Sequence, residues 1–173
     1  MSLPAFDVDS GTPRYPRGGI YLPASQGVTR WVSGDVYTMK ATAKETDGAL
    51  GFVEASIPPG GGPVAHAHLS GGEAFYLLSG ELEFLNGEDT FVAGQGDFVY
   101  IPPGIRHRFK NIGMHTAKMI FLFTPGGLEE VFVRGGDEAR PGEPAPVWGL
   151  EKFGPIQAVA EELGLQSDIF PEL

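Results

Sequence analysis

The chain has 173 residues, 42% of them hydrophobic, with a mean hydropathy of -0.05 and 12 basic against 22 acidic side chains for a net charge of -10. That length supports one good core and predicts a single soluble domain, while the scattered basic residues of an acidic chain exclude nucleic acid and anionic membrane surfaces as partners. Cysteine is absent, so disulfides and thiolate metal sites are excluded and any metal must be held by imidazole and carboxylate.

Residues 1–19 contain Pro4, Pro13, Pro16 and the Gly18-Gly19 pair without periodicity and read as an N-terminal arm over the surface or a neighbouring subunit. They lack a basic start followed by an apolar run, and no stretch of about eighteen apolar residues follows, so a cytoplasmic protein with no membrane span is expected. Residues 20–125 read as a β-barrel domain. Short runs rich in Val, Ile, Phe, Tyr and Thr, punctuated by the 26 glycines and 15 prolines, predict strands at Ile20–Leu22, Thr29–Val32, Val36–Ala43, Leu50–Ile57, Val64–His68 and Glu73–Leu78. Further strands are expected at Glu81–Leu85, Thr90–Val92, Phe98–Ile101, His107–Asn111 and Ala117–Phe123. That many short strands at close spacing predict an all-β sandwich or closed barrel.

Residues 126–173 read as C-terminal helices and a linker packing on the barrel. In "TPGGLEEVFV", Thr124 is placed as a helix cap and Pro125 at the first helical position, with Glu129 and Glu130 near the positive end of the dipole. Leu128, Val131 and Phe132 would face the barrel. Residues 134–153 read as an extended connection pinned by Trp148 and Phe153, either an inert link or a lid. In "GPIQAVAEELG", Ile156, Val159, Ala160 and Leu163 form one helical stripe, with Pro155 at the start and Gly164 at the stop.

Two of the four histidines stand one residue apart in "PVAHAHLSGGEAF". Side chains of a strand alternate between faces, so His66 and His68 point the same way. The "LSGG" turn returns the chain and brings Glu73 to the same inner face. In "IRHRFKN", Arg106, Arg108 and Lys110 belong in water, which turns His107 inward. Three imidazoles and a carboxylate inside an apolar barrel fit one divalent transition metal per chain, from the set Fe, Ni, Mn, Co, Cu and Zn. Calcium and magnesium prefer all-oxygen shells and fit poorly. His115, in the polar stretch "NIGMHTAK", reads as a surface turn residue.

These two stretches resemble the paired motifs of the cupin superfamily. The first motif is matched by Gly60, His66, His68, Glu73 and Gly80, and the second by Gly96, Pro102, Gly104, His107 and Asn111. The resemblance implies a jelly-roll (double-stranded β-helix) barrel, usually a homodimer, with His66, His68, Glu73 and His107 as metal ligands. The single barrel followed by "MIFLFTPGGLEEVFV" is similar to small bacterial cupins related to quercetin 2,3-dioxygenases.

A dioxygenase of that kind acts on a small aromatic or enolic compound, with the metal as Lewis acid and template. Glu73 would be both ligand and catalytic base. Phe75 and Leu77 share its face by alternation; with Phe84, Phe109, Met119, Phe121 and Phe123 they are candidates for the apolar substrate pocket, each reading alternatively as barrel core. Other readings of the same scaffold are a metal-dependent isomerase, decarboxylase or lyase of a small acid, and a non-catalytic cupin sensing a small ligand or metal.

Overall fold

The computed structural model describes residues 19–167, so the expected N-terminal arm lies, apart from Gly19, outside the described residues. Among the described residues twelve strands form two antiparallel sheets. The first seven are β1 (Val28–Val32), β2 (Asp35–Ala41), β3 (Gly51–Ile57), β4 (His66–His68), β5 (Gly72–Ser79), β6 (Glu81–Asn86) and β7 (Asp89–Gly94). They are followed by β8 (Phe98–Ile101), β9 (His107–Lys110), β10 (Ala117–Thr124), β11 (Asp137–Glu138) and β12 (Leu165–Ser167). Among the described residues three α-helices accompany them, α1 (Ala43–Thr46), α2 (Glu130–Gly135) and α3 (Phe153–Glu162), with a 3-10 turn at Leu150–Lys152 leading into α3. The seven-stranded sheet runs β11-β1-β2-β3-β10-β5-β8 and the five-stranded sheet β12-β4-β9-β6-β7. The fold is a jelly roll of two facing sheets rather than a barrel closed by hydrogen bonds, because no strand pairing joins the sheets among the described residues.

Alternation decides which side chains fill the space between the sheets. Tyr37 and Met39 of β2, Val53, Ala55 and Ile57 of β3, and Met119, Phe121 and Phe123 of β10 are buried in one cluster. Phe75 and Leu77 of β5, Leu82 and Phe84 of β6, and Phe109 of β9 belong to the same cluster. Burying each large apolar side chain stabilises the fold by about 1.5–3 kcal/mol. The intervening residues face out, so Tyr76 and Leu78 are exposed as alternation predicts.

Glycine is required where chains approach most closely. Gly62 has φ +128, and a Cβ there would collide with the carbonyl oxygen of Phe109. Gly80, φ +77, would place a Cβ 2.9 Å from the Ala117 Cα.

Four expectations are corrected. Ile20–Leu22 forms no strand; Ile20 and Tyr21 stand exposed before β1. The segment Val64–His68 is a strand only over its last three residues. Helix α2 begins at Glu130 rather than at Pro125, because the chain first docks against the β2–β3 connection: the Gly126 N–H donates to the Gly48 carbonyl. The turn carries a cis Thr124–Pro125 peptide. Helix α3 starts at Phe153, two residues before Pro155. Leu128 and Val131 are buried, and the Phe132 ring stacks on Tyr37 at 4.3 Å. In the 134–153 connection, the Trp148 indole donates to Asp137 at 2.8 Å and its ring meets Phe153 edge-on at 5.6 Å. Among the described residues no helix is long and apolar enough to cross a membrane.

Candidate metal centre

Three strands of two sheets deliver the site. His66 and His68 occupy the ends of β4, Glu73 follows the start of β5, and His107 opens β9 directly opposite His66 in the ladder. One ligand atom from each of the four side chains lies within 4.8 Å of every other. The ring centroids of the three imidazoles are 4.5–5.2 Å apart. His68, Glu73 and His107 are buried and His66 is half-buried, which leaves the cluster approachable from the His66 side.

Backbone carbonyls two residues upstream orient two of the rings: His66 Nδ1 lies 2.9 Å from the Val64 oxygen, and His107 Nδ1 lies 2.8 Å from that of Ile105. Each contact requires a proton on Nδ1 and leaves Nε2 as the lone pair turned to the cluster, the arrangement that fixes a metal-binding tautomer.

The electrostatics point the same way. His68 is pushed down to about 3 by burial and by the neighbouring His66 and His107, so it stays neutral. Burial raises the Glu73 carboxyl, against the opposing hydrogen bond and charge of His107. Burial alone would lower His107, but the Glu73 hydrogen bond and charge outweigh it and leave the ring raised. His107 Nε2 is 3.1 Å from Glu73 Oε2, and His68 Nε2 is 3.6 Å from the same oxygen. Because His107 Nδ1–H is committed to Ile105, the short contact to Glu73 needs a second proton shared by the pair. A divalent cation can replace that proton: the donor set is three nitrogens and one carboxylate, all converging, with little polar solvation of their own. The residues therefore fit a transition metal, held by His66, His68, Glu73 and His107.

The seven apolar candidates all lie on inner faces within the buried core. There they pack on one another: Phe75 lies 5.1 Å from Phe84, 5.9 Å from Phe109 and 6.0 Å from Phe121 between ring centroids. Phe123 reaches the cluster, its ring 5.8 Å from that of His68. Leu77 and Met119 are fully buried deeper in the sheet. Trp31 is buried and Tyr100 exposed. His115 is an exposed turn residue whose carbonyl accepts from Asn111 Nδ2. The motif asparagine, Asn111, also donates to the Ile57 carbonyl at 2.8 Å and so ties β9 to β3.

Sequence reading missed the buried Glu129. It accepts from the Ala43 amide at 2.6 Å and the Gly127 amide at 2.7 Å, locking the α1 and α2 approaches over Gly51. It also missed β12, which lies against the ligand strand β4.

Residues 53–123 match the family described as "Cupin domain". A quercetin 2,3-dioxygenase of Bacillus subtilis is 30% identical over 124 residues, covering 70% of this chain and 36% of that protein. The chain also spans less than two thirds of the other curated relatives it matches. In three dimensions it resembles a predicted oxalate decarboxylase of Thermotoga maritima at TM-score 0.58 and 18% identity, covering 61% of this chain and 99% of that one. An RmlC-like cupin of Shewanella frigidimarina aligns at TM-score 0.55 and 19% identity, covering 63% and 93%. With both motifs filled, the jelly roll formed and residues 53–123 matched across its central strands, this chain carries a cupin domain.

Proposed function

We propose that the chain is a metal-dependent dioxygenase of a small aromatic or enolic compound. The observation that carries the reading is the cluster of three imidazoles, two of them oriented by backbone carbonyls, around a buried Glu73 and open on its His66 side. The similarity to a quercetin 2,3-dioxygenase supports the substrate class. When bound, a divalent transition metal supplies Lewis acidity toward an enolic or phenolic oxygen and a place for dioxygen.

The chain's own residues do the rest. His66, His68 and His107 would hold the metal through Nε2 lone pairs, two of the rings being fixed by the carbonyls of Val64 and Ile105. Glu73 takes the hydroxyl proton of the substrate, a transfer favoured by a carboxyl whose basicity burial has raised. His107, its Nε2 committed to the metal, is kept in orientation by the Ile105 carbonyl at 2.8 Å. Phe123, beside His68, supplies an apolar wall that excludes water from that corner.

Elemental analysis of the purified protein, followed by oxygen-electrode assays with flavonols and simple enediols, tests this. The expected result is about one Fe, Ni, Mn, Co or Cu per chain together with oxygen uptake, both lost in a His66→Ala, His107→Ala double variant. Bound metal without oxygen uptake on that panel overturns the dioxygenase and favours an isomerase, decarboxylase, lyase or sensor. Absence of metal even after reconstitution overturns the metal centre itself.

A further inference from the structure

The strand that carries two of the four ligands is only three residues long, and on the β9 side its ladder consists of the single pair His66–His107. The Gly104 amide adds one bond, to the His68 carbonyl at 2.8 Å. The other edge of β4 belongs wholly to β12, with Leu165 opposite His68, Gln166 opposite Ala67 and Ser167 opposite His66. The Leu69 N–H donates to the Gly164 carbonyl at 2.9 Å, so 69–164 is a hydrogen-bonded pair. Antiparallel alternation then makes Gln166–Ala67 the next hydrogen-bonded pair, and makes Leu165–His68 and Ser167–His66 the close, non-bonded pairs whose side chains share a face. That face is the ligand face, and Leu165 packs against the core.

We propose that β12 is a built-in wall of the metal centre, with Leu165 and Ser167 as positioning residues for His68 and His66. The proposal rests on the metal-centre reading above. The backbone bonds to Ala67 and Leu69, which fix the strand between and beyond the two histidines, come from a segment far from both cupin motifs. That segment is carried in by α3, which Arg134 grips through a two-pronged ion pair with Glu162, at 3.0 and 2.6 Å. Loss of β12 frees one whole edge of β4, and the spacing of the two imidazoles then depends on a single ladder pair and the Gly104 bond. Leu165 limits how far the His68 ring can turn, and Ser167 places a hydroxyl-bearing side chain beside the half-exposed His66.

The test uses the full-length protein stripped of metal and titrated with Co²⁺ against a chromophoric chelator, with the visible d–d spectrum recorded and the apo-protein melted in parallel. Gln166→Pro removes the amide that bonds Ala67 while altering an exposed side chain; Gln166→Ala keeps that bond and is the control. Leu165→Ala keeps the ladder and removes the packing beside His68. Expected is a loss of Co²⁺ affinity of about tenfold or more in Gln166→Pro, the scale of outer-shell losses, with an altered d–d envelope and a wild-type Gln166→Ala. Leu165→Ala shifts the envelope and weakens binding by a smaller factor. A folded Gln166→Pro with wild-type affinity and spectrum overturns the proposal. Should Gln166→Pro not fold, Leu165→Ala decides: an unchanged spectrum overturns the wall, since a merely destabilising cavity would lower the apo melting temperature and leave the Co²⁺ envelope alone. Failure of the wild type itself to bind Co²⁺ overturns the metal centre, and the wall with it, which separates the two failures.

Discussion

Two buried carboxylates sit on the inner face of the same seven-stranded sheet, at opposite ends. Glu73 lies at the end shared by Gly51 and Thr124, and Asp35 at the end shared by Ile57, Ala117 and Ser79. Glu73 is surrounded by three imidazoles, two of them within 3.6 Å of its Oε2. Asp35 has one good donor, the Tyr37 hydroxyl at 2.9 Å, and its Oδ1 has no partner in hydrogen-bond geometry. Burial raises Asp35 to about 7, with Tyr37 and the Gly62 amide opposing. A buried acid alone therefore does not make a site. What distinguishes the Glu73 end is the convergence of neutral, oriented nitrogen donors that can share a cation, whereas the Asp35 end can relieve its charge only by keeping a proton.

The largest expected effect separates the two ends by metal affinity. Glu73→Gln should weaken Co²⁺ or Zn²⁺ binding by more than the about 10–100-fold that follows loss of an outer-shell partner, while Asp35→Asn leaves affinity unchanged; competition titration reads both. Metal binding to the wild type near neutral pH should also release about one proton per chain, because the cation displaces the proton shared by Glu73 and His107. Calorimetry in buffers of different ionisation enthalpy measures it, and no release would mean that the pair is already unprotonated.

Next in size is a pH effect confined to the Asp35 end. Folded Asp35 keeps its proton up to about 7, and the unfolded chain releases it near the ordinary aspartate value of 3.8. Its contribution to stability is thus complete below the unfolded value and is lost as pH rises through about 7. Asp35→Asn should match the wild type near pH 4 and exceed it by about 3–5 kcal/mol at pH 8, read from urea unfolding across that range. Equal stability of the two proteins at pH 8 would show that Asp35 is satisfied as an anion.

The Glu73 end was legible in the sequence because each ligand is oriented by a local rule. Strand alternation pairs His66 with His68, and the basic neighbours of His107 turn it inward. The Asp35 end was not: an aspartate after Ser33-Gly34 reads as a turn residue, and only the close approach of the Gly61–Gly62 backbone buries it. Helix α1 shows a signal present but unused, since Thr42 and Glu45 form a capping box. Glu129 looked like a dipole-favoured helical residue, but its partners come from Ala43 and Gly127, and only the fold brings Ala43 to it. Strand β12, "LQS", is too short and polar for periodicity to reveal, and its partner strand is about a hundred residues away.

The smallest effect tests whether Tyr37 and Asp35 act as a unit. Tyr37→Phe removes the one good donor to a buried carboxylate and should cost about 1–3 kcal/mol at pH 8, where the acid is ionised. At pH 5 the acid carries its own proton, and the hydroxyl is then bonding a neutral group, so the cost should shrink toward that of an ordinary neutral hydrogen bond of about 1 kcal/mol. Tyr37 also stacks on Phe132 and meets Phe121 edge-on, contacts that phenylalanine preserves, so packing contributes little to the difference. Repeating Tyr37→Phe in the Asp35→Asn background closes a double-mutant cycle: the coupling should be clear at pH 8 and small at pH 5. A coupling independent of pH would mean that the Tyr37 hydroxyl serves the packing of the far end, and that the charge of Asp35 has no part in setting that end apart from Glu73.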